Sequence, residues 1–415
     1  MDEHSSPSRL RFSWHSTFTC LQYPNYRLWF YGQMISLFGT WMQSTAQGYL
    51  VFQLTNSQAY LGYVSFASGL PTWVFTMFAG VVADRWPRRS ILVATQTVMM
   101  LLAFVQSALT FTGLVQPWHI IILAFLLGVC NAFDAPTRLS FVLEMVERED
   151  LSNAIALNST MFNLATILGP MAGGFAYALV GPAWCFMLNG LSFIAVIAAL
   201  LLMRLKPFVR PPQSSSVLAS AREGLHYVRH EPMLVGVIGV AAAAQLFGAA
   251  YITLIPAWAV NVLHGDATTT GLMQSARGAG ALIFALALAS MGRNRYKGLL
   301  FTLGSLTFPL TLLLLTAAHA VPSALFALML VGGTVVLTFN LANALVQALT
   351  TDELRGRVTS IYTLVIFGLG PLSGLWAGLV AERIGEPPAV AIGAVLSLVC
   401  AILIHVFMPR LRRLT

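Results

Sequence analysis

The chain has 415 residues, of which 57% are hydrophobic and only 9% are charged, whereas a soluble domain usually carries about a quarter charged residues. This composition excludes a soluble globular fold of such length and predicts a protein embedded in a lipid bilayer. The formal net charge is +8, but the basic residues cluster in the loops between apolar segments, so we expect no nucleic acid as a partner.

Eight apolar segments follow one another along the chain, and Arg277 is the one charged residue inside them. They are residues 28–83, 90–133, 151–203, 232–265, 267–292, 298–351, 358–381 and 387–409. Because a membrane helix needs about 20 residues, the first three segments and the sixth have room for two helices each, and the others for one. The sequence therefore predicts an all-α membrane protein with twelve transmembrane helices.

The basic residues predict the orientation of these helices. With the N-terminus in the cytoplasm, 21 of the 23 Lys and Arg residues lie on the cytoplasmic side, as the positive-inside rule requires. Arg383 lies outside and Arg277 lies within a helix. We therefore expect both termini to be cytoplasmic.

A polar segment divides the predicted helices into two groups of six. Its Pro and Ser residues predict a linker, and apolar residues recur at helical spacing from Val217 to Val228, which predicts a short amphipathic helix on the membrane surface. The predicted units are a cytoplasmic tail at 1–26, a six-helix bundle at 27–205, the linker at 206–232, a second six-helix bundle at 233–408 and a cytoplasmic tail at 409–415.

The two groups of helices contain related sequences. The segment ILGPMAGGFAYALVG at Ile167–Gly181 aligns with GLGPLSGLWAGLVAERIG at Gly368–Gly385. Many secondary transporters are built from such parallel repeats, with the substrate site where the repeats meet.

A charged segment, GVVADRWPRRSIL at Gly80–Leu92, interrupts the apolar sequence after the second predicted helix. Asp84 ends that helix, where it can reach the positive N-terminal end of a neighbouring helix. Arg88 can pair with Asp134 or Glu144. We predict that these contacts form a cytoplasmic gate; the alternative is a topology anchor made of arginines. The gating candidates are Gly80, Asp84, Arg85, Arg88 and Arg89.

This segment and the two groups of six helices resemble the major facilitator superfamily, whose signature here is roughly G-x-L-A-D-R-x-G-R-K. Further segments, at Phe133–Pro170 and Thr351–Tyr362, resemble the branch of drug:proton antiporter-3 and enterobactin-exporter-like proteins. The resemblance implies that the helix starting near Arg357 is the partner of Asp84. Thr166 stands where that branch carries an Arg, so a mechanism that relies on this Arg is in doubt.

Polar stripes on the predicted helices indicate a wet interior. Gln33, Ser36, Thr40, Gln43 and Gln47 fall on one face of the first helix, and Asn340, Asn343 and Gln347 on one face of the tenth. Asn131, Gln245 and Gln274 add single polar side chains on other helices. Such residues face a water-filled cavity or the bundle interior, and the alternative to cavity lining is hydrogen bonding that only packs the helices. We predict substrate contacts at Gln43, Gln47, Asn131, Gln245, Gln274, Arg277, Asn340 and Asn343.

Two charged residues fall within predicted helices. Arg277 lies near the bilayer midplane, where an Arg costs roughly 2.5–3.5 kcal/mol and needs a partner or a use. It either holds an anionic or carbonyl-rich substrate, or repels cations, or is satisfied by carbonyls and Gln274. Asp134 is the one acidic residue suited to proton coupling, and Arg138 lies one helical turn further on.

These observations predict a multi-pass secondary transporter of the bacterial inner membrane, and by resemblance a proton-coupled exporter of amphipathic small molecules that acts as a monomer. A proton-coupled importer of a small metabolite and a non-transporting membrane partner or sensor are the alternatives. The sequence has no nucleophile–base pair, no cluster of metal ligands and no phosphate-binding loop. We therefore expect no enzymatic activity and no cofactor.

Overall fold

The computed structural model describes residues 18–205, 217–291 and 296–414, and the long elements in these ranges are all helices. The N-terminal half contains α1 Pro24–Thr55, α2 Gln58–Arg85, α3 Arg88–Phe111, α4 Pro117–Val142, α5 Leu151–Val180 and α6 Pro182–Leu202. The linker helix is α7 Val217–His230. The C-terminal half contains α8 Pro232–Ala243, α9 Tyr251–Asn261, α10 Ala267–Ser290, α11 Lys297–Thr316, α12 Val321–Ala348, α13 Arg355–Ile384 and α14 Glu386–Phe407. A π-helical turn, Ala244–Gly248, joins α8 to α9.

Ten helical segments of the described residues are long and apolar enough to cross a membrane. They are α3 to α6, the continuous segment Pro232–Asn261, and α10 to α14. Helices α1 and α2 are not among the ten, although their 32 and 28 residues exceed the length of a span. The multi-pass helical membrane fold is thus confirmed, and the count of twelve spans stays a prediction.

Related turns end α5 and α13, the helices that carry the two aligned sequences. Gly181 and Gly385 follow these helices with φ of 87° and 85° and ψ of 169° and 168°. A side chain is strained at such dihedral angles, whereas glycine adopts them freely. In both cases a proline-containing first turn starts the next helix. The two aligned sequences therefore form the same helix–glycine–helix corner.

The two halves are in contact along α2 with α13 and along α5 with α10. The helix backbones approach closely at these contacts. A Cβ atom added at Gly378 would lie 2.6 Å from the Gln58 carbonyl oxygen, and one added at Gly271 would lie 2.4 Å from the Pro170 carbonyl oxygen. Small residues permit such approach in membrane helices. Trp73 also donates from its indole nitrogen to the Gly368 oxygen at 2.6 Å. We call the end of the molecule with the α1–α2, α5–α6, α9–α10 and α13–α14 loops the closed end.

The linker helix α7 packs against the C-terminal half. Gly224 lies against Arg357 and Ile361 of α13, and Glu223 forms a salt bridge with Arg357. The Tyr227 hydroxyl donates to the Leu349 oxygen at 3.5 Å. The amphipathic segment of the linker is thus a helix whose inner face is attached to α13.

A short helix before α1 packs onto the start of α5. The Tyr23 hydroxyl donates to the Asp150 carboxylate at 2.7 Å, and this hydrogen bond raises the pKa of Tyr23 to about 12. The Cys20 amide donates to the Asn153 side chain at 3.2 Å. Helix α1 itself begins at Pro24, directly after these contacts.

Candidate functional site

A cavity of about 420 Å³ lies between the two halves. The N-terminal half supplies most of its polar wall: Gln33, Ser36, Thr40, Gln43, Ser44, Gln47, Ser65, Ser68, Gln96, Asn131, Asp134, Arg138 and Asn189. The C-terminal half adds Ile252, Thr253, Pro256 and Gln274. A cavity of this size, with convergent polar groups and a few aromatic side chains such as Trp41 and Phe162, is typical of a small-molecule site.

The polar stripe of the first predicted helix lies along the cavity wall. All five of its residues, from Gln33 to Gln47, line the cavity, because α1 passes between α6 on one side and the C-terminal half on the other. Among the other substrate candidates, Asn131 and Gln274 also line it. The structure therefore brings four of the predicted contact residues together: Gln43, Gln47, Asn131 and Gln274.

Gln43 has a second role that the sequence left as an alternative. Its side-chain oxygen accepts from the Asn189 amide at 2.6 Å, and its nitrogen lies 3.5 Å from the Gln106 oxygen. Asn189 also accepts from Ser192 at 3.1 Å. This chain of amides joins α1, α3 and α6 inside the N-terminal half, so Gln43 both lines the cavity and packs the helices.

Asp134 is the buried carboxylate of the cavity, with a relative exposure of 2%. Its Oδ1 atom accepts from the Thr95 hydroxyl at 3.0 Å and from the Gln96 amide at 2.8 Å. Arg138 Nε lies 3.7 Å from its Oδ2 atom. These partners satisfy a buried charge that would otherwise be costly. Sequence reasoning missed Thr95 and Gln96; their only signal is polarity within the apolar α3.

The remaining substrate candidates lie away from this wall. Gln245, in the π-helical turn, lines a smaller cavity of about 330 Å³ between α2 and α13. Ser65, Ser68, Ile252 and Thr253 line both cavities. Asn340 is exposed, and Asn343 accepts from the Gln347 amide at 3.2 Å. The structure does not place these two residues of α12 on the wall of either cavity.

Arg277 lies one turn beyond Gln274 on α10 and points into the C-terminal half. Its guanidinium lies beside the hydroxyl of Tyr251, a side chain that is 1% exposed. The carbonyl oxygen of Arg277 lies against Gly332, so a Cβ atom added to Gly332 would be only 2.0 Å from this oxygen. Within the described ranges no carboxylate forms a salt bridge with Arg277. A tyrosine hydroxyl is the neighbour that the sequence did not identify.

The charged segment after α2 links neighbouring helices. Arg88 forms a 2.5 Å salt bridge with Glu144, so the structure selects Glu144 over Asp134 as its partner. Arg89 donates to the Leu201 oxygen at 2.6 Å and thereby satisfies a carbonyl at the end of α6. Arg85 is exposed. The side chain of Asp84 and the surroundings of Gly80 lie outside the described part of the chain, and so does the predicted contact of Asp84 with α13.

This fold, with a polar cavity between two related sets of helices, defines a multi-pass transporter of the major facilitator superfamily. The chain belongs to the transmembrane secretion effector family, whose model matches residues 15–414. It is a transport protein and not an enzyme.

Characterised relatives cover most of the chain. It is 26% identical to the multidrug efflux pump Tap of Mycolicibacterium fortuitum over 376 residues, which are 88% of this chain and 91% of that protein. It is 26% identical to the enterobactin exporter EntS of Shigella flexneri, over 85% of this chain and 84% of that protein. The staphyloferrin A transporter of Staphylococcus aureus is 22% identical, over 92% and 96% of the two chains.

Solved structures with the same fold include a bacterial homologue of the lysosomal transporter Spinster, in an inward-facing and unoccupied conformation. Its TM-score is 0.73 at 13% identity, over 97% of this chain and 98% of that chain. The nucleoside transporter NupG has a TM-score of 0.69 at 14% identity, over 94% and 99% of the two chains. At this identity the likeness establishes the fold.

Proposed function

We propose that this protein is a secondary active exporter of small organic molecules in the bacterial inner membrane. The observation that carries the proposal is the polar cavity between the halves, because a site with walls from both halves can be opened to either side by rocking one half against the other. The efflux pump and the enterobactin exporters among the relatives support export over import. The transporting unit is proposed to be a monomer, because both halves that surround the cavity belong to the same polypeptide.

The proposed topology has twelve spans, with α1 and α2 crossing the bilayer beside the ten apolar segments, and both termini in the cytoplasm. The polarity of α1 supports this arrangement, since its polar stripe lines the cavity and need not contact lipid. The units are the two bundles at 27–205 and 233–408, the linker at 206–232 and the tails at 1–26 and 409–415. In this topology the closed end faces outward.

Asp134 is the proposed proton site. It is buried, lines the cavity and is held by neutral donors from α3 in addition to Arg138. A substrate group that binds the Arg138 guanidinium would remove the one cation within 4 Å of Asp134 among the described residues, while Thr95 and Gln96 keep the carboxylate in place. Removal of a positive charge changes the electrostatic environment of the carboxylate. Substrate binding at Arg138 and proton binding at Asp134 are therefore coupled through the same pair.

Substrate contacts are proposed at Gln43, Gln47, Asn131 and Gln274, and at Gln245 through the adjoining cavity. Arg277, Asn340 and Asn343 are proposed to reach the substrate in another conformation, since neither cavity includes them in the present one. The cytoplasmic gate is proposed to comprise Gly80, Asp84, Arg85, Arg88 and Arg89. Its supporting contact is the salt bridge between Arg88 and Glu144.

Transport into inverted membrane vesicles tests the proposal. Vesicles energised by an inward-acidic proton gradient should accumulate ethidium, enterobactin or staphyloferrin A in the presence of the protein, and collapse of the gradient should stop accumulation. Uptake by right-side-out vesicles in place of inverted ones would favour an importer. No gradient-dependent flux of any of these compounds in either orientation would favour a non-transporting membrane partner.

A further inference from the structure

A groove of about 660 Å³ lies beside the contact between α2 and α13 at the closed end. The N-terminal half lines it with Ser57, Tyr60 and Tyr63, and the C-terminal half with Leu379, Glu382 and Arg383. Among the described residues, none lines both this groove and the cavity between the halves. Because Tyr63 and Leu379 are 39% and 42% exposed, the groove opens away from the protein interior. In the proposed topology this surface faces lipid.

The groove changes from charged to apolar along its length. Glu382 and Arg383 lie in the last turn of α13, whereas Leu379 lies about one turn further from the closed end. Tyr60 and Tyr63 lie in the first and second turns of α2. Tyrosine is typical of the boundary between the headgroups and the acyl chains of a bilayer. The order of these residues therefore matches the order of groups in a phospholipid.

The two charged side chains of the groove have capacity left for a ligand. Glu382 accepts through Oε2 from the Ser57 hydroxyl at 2.8 Å and from the Ala59 amide at 3.0 Å, and so caps the first turn of α2. Its Oε1 atom has no hydrogen-bond partner within the described ranges. Arg383 is exposed and forms no salt bridge in that part of the chain. An unpaired acceptor and an unpaired cation thus lie side by side.

The neighbouring acid Glu386 is turned inward and does not line the groove. It accepts from the Gln58 amide at 2.8 Å and from the Asn261 amide at 2.7 Å, and it is 4% exposed. Glu382 is therefore the acid that a ligand in the groove can reach.

We propose that this groove binds a phospholipid with a phosphoethanolamine headgroup. The Arg383 guanidinium pairs with the phosphate, and the free Oε1 atom of Glu382 accepts from the ammonium, in charge-assisted hydrogen bonds. The acyl chains leave the groove along Tyr63 and Leu379. Because residues of both halves line the groove, the bound lipid contacts both.

The pair of opposite charges makes the site selective among headgroups. A trimethylammonium headgroup has no N–H to donate to Glu382, although its phosphate can still pair with Arg383. A phosphoglycerol headgroup has no cation, and its negative charge is repelled by Glu382. The groove therefore favours phosphoethanolamine over phosphocholine and phosphoglycerol.

Quenching of a fluorophore in the groove tests this proposal without a transport substrate. A bimane label is attached to Leu379→Cys in the full chain, with its four native cysteines replaced by alanine. The protein is placed in nanodiscs of phosphatidylcholine mixed with phosphatidylethanolamine or phosphatidylglycerol, in which one lipid carries a quencher near the start of its acyl chain. The label should report a preference for phosphatidylethanolamine over phosphatidylcholine of about threefold, the effect of one partly exposed ion pair.

The matched control label is at Leu188→Cys, which is 44% exposed in the second turn of α6 and lies outside the groove. It should report no preference among the three lipids. If Leu379→Cys does not fold, Ile384→Cys takes its place, since Ile384 lines the same groove and is 45% exposed.

Two variants assign the preference to the charged pair. Glu382→Gln keeps an oxygen that accepts from Ala59 but removes the negative charge, so the preference for phosphatidylethanolamine should disappear. Arg383→Gln should also reduce it, because the phosphate is then no longer held beside Glu382, whereas Arg383→Lys should retain it. Equal quenching by phosphatidylethanolamine and phosphatidylcholine at Leu379→Cys, stronger quenching by phosphatidylglycerol, or a preference that persists in Glu382→Gln would overturn the proposal.

Discussion

Arg138 Nε lies 3.7 Å from the Asp134 carboxylate, one turn further along α4, and both side chains line the cavity between the halves. Asp134 is nearly fully buried, whereas the Arg138 side chain is 27% exposed. The pair thus joins a protected acid to a cation that a substrate can reach. In the proposed mechanism, this arrangement places proton binding and substrate binding within one helical turn.

Asp134→Asn should abolish the response of transport to the proton gradient and leave substrate binding largely intact. The amide keeps an oxygen that accepts from Thr95 and Gln96, so the local fold is preserved. Gradient-driven flux should fall at least tenfold, which corresponds to about 1.4 kcal/mol, while exchange of labelled for unlabelled ethidium continues. Glu353→Gln, an exposed acid near the start of α13, is the control. Unchanged gradient-driven flux in Asp134→Asn would remove Asp134 from the coupling mechanism.

Separate loss of Arg88 or Glu144 should weaken the junction of α3 with the α4–α5 loop by a small amount. The two side chains are 26% and 36% exposed, and partly exposed pairs contribute about 0.2–1 kcal/mol. A double-mutant cycle with Arg88→Gln and Glu144→Gln, read by thermal unfolding in detergent, should give a coupling energy in this range. A coupling energy indistinguishable from zero would show that the pair does not stabilise this junction.

Gly378→Ala should disturb the contact between the halves at the closed end. The added Cβ would lie 2.6 Å from the Gln58 carbonyl oxygen. This oxygen belongs to the backbone, so it cannot move aside as the end of a flexible side chain could. Overpacking of this kind typically costs about 1–3 kcal/mol. The expected result is a lower melting temperature. Gly356→Ala, where no neighbouring atom lies within 4 Å of the new Cβ, should leave the melting temperature as in the parent.

Asn189→Leu should destabilise the N-terminal half. The substitution leaves the Gln43 oxygen without the 2.6 Å hydrogen bond that it receives in the native chain. An unsatisfied buried polar group costs about 1–3 kcal/mol. Thermal unfolding should therefore shift to lower temperature, and Ser159→Ala, at an exposed site on α5, should not shift it. A double variant that also carries Gln43→Leu should recover part of the loss, since both polar partners are then absent.

The spacing of charged residues was enough to predict the helical membrane fold, and the resemblance of the segment Gly80–Leu92 to a known signature indicated the family. Segments without charge have few stable forms in lipid other than helices, because every backbone polar group must be paired internally. The polar stripe on α1 was equally readable, since five residues at helical spacing can only face one direction. The glycine-ended repeats at Gly181 and Gly385 could also be aligned from sequence alone.

The partners of individual side chains could not be predicted in the same way. Arg88 had two acids within reach, and only the packing of α3 against α4 brought Glu144 to it. Arg277 had no acidic partner in sequence, and the fold placed Tyr251 beside it from a helix that begins 26 residues earlier. Gln96 and Asn189 gave no signal in the sequence beyond their polarity within apolar helices, and the fold placed both on the cavity wall.

Hydropathy and charge act locally along the chain, so the order of apolar and basic segments alone determined the membrane-embedded helical architecture and its duplication. The contacts of Asp134 and Glu386 join residues that are distant in sequence, and their geometry depends on how whole helices pack. Only the folded chain could therefore show that Asp134 lines the central cavity and that Glu386 accepts hydrogen bonds from both halves.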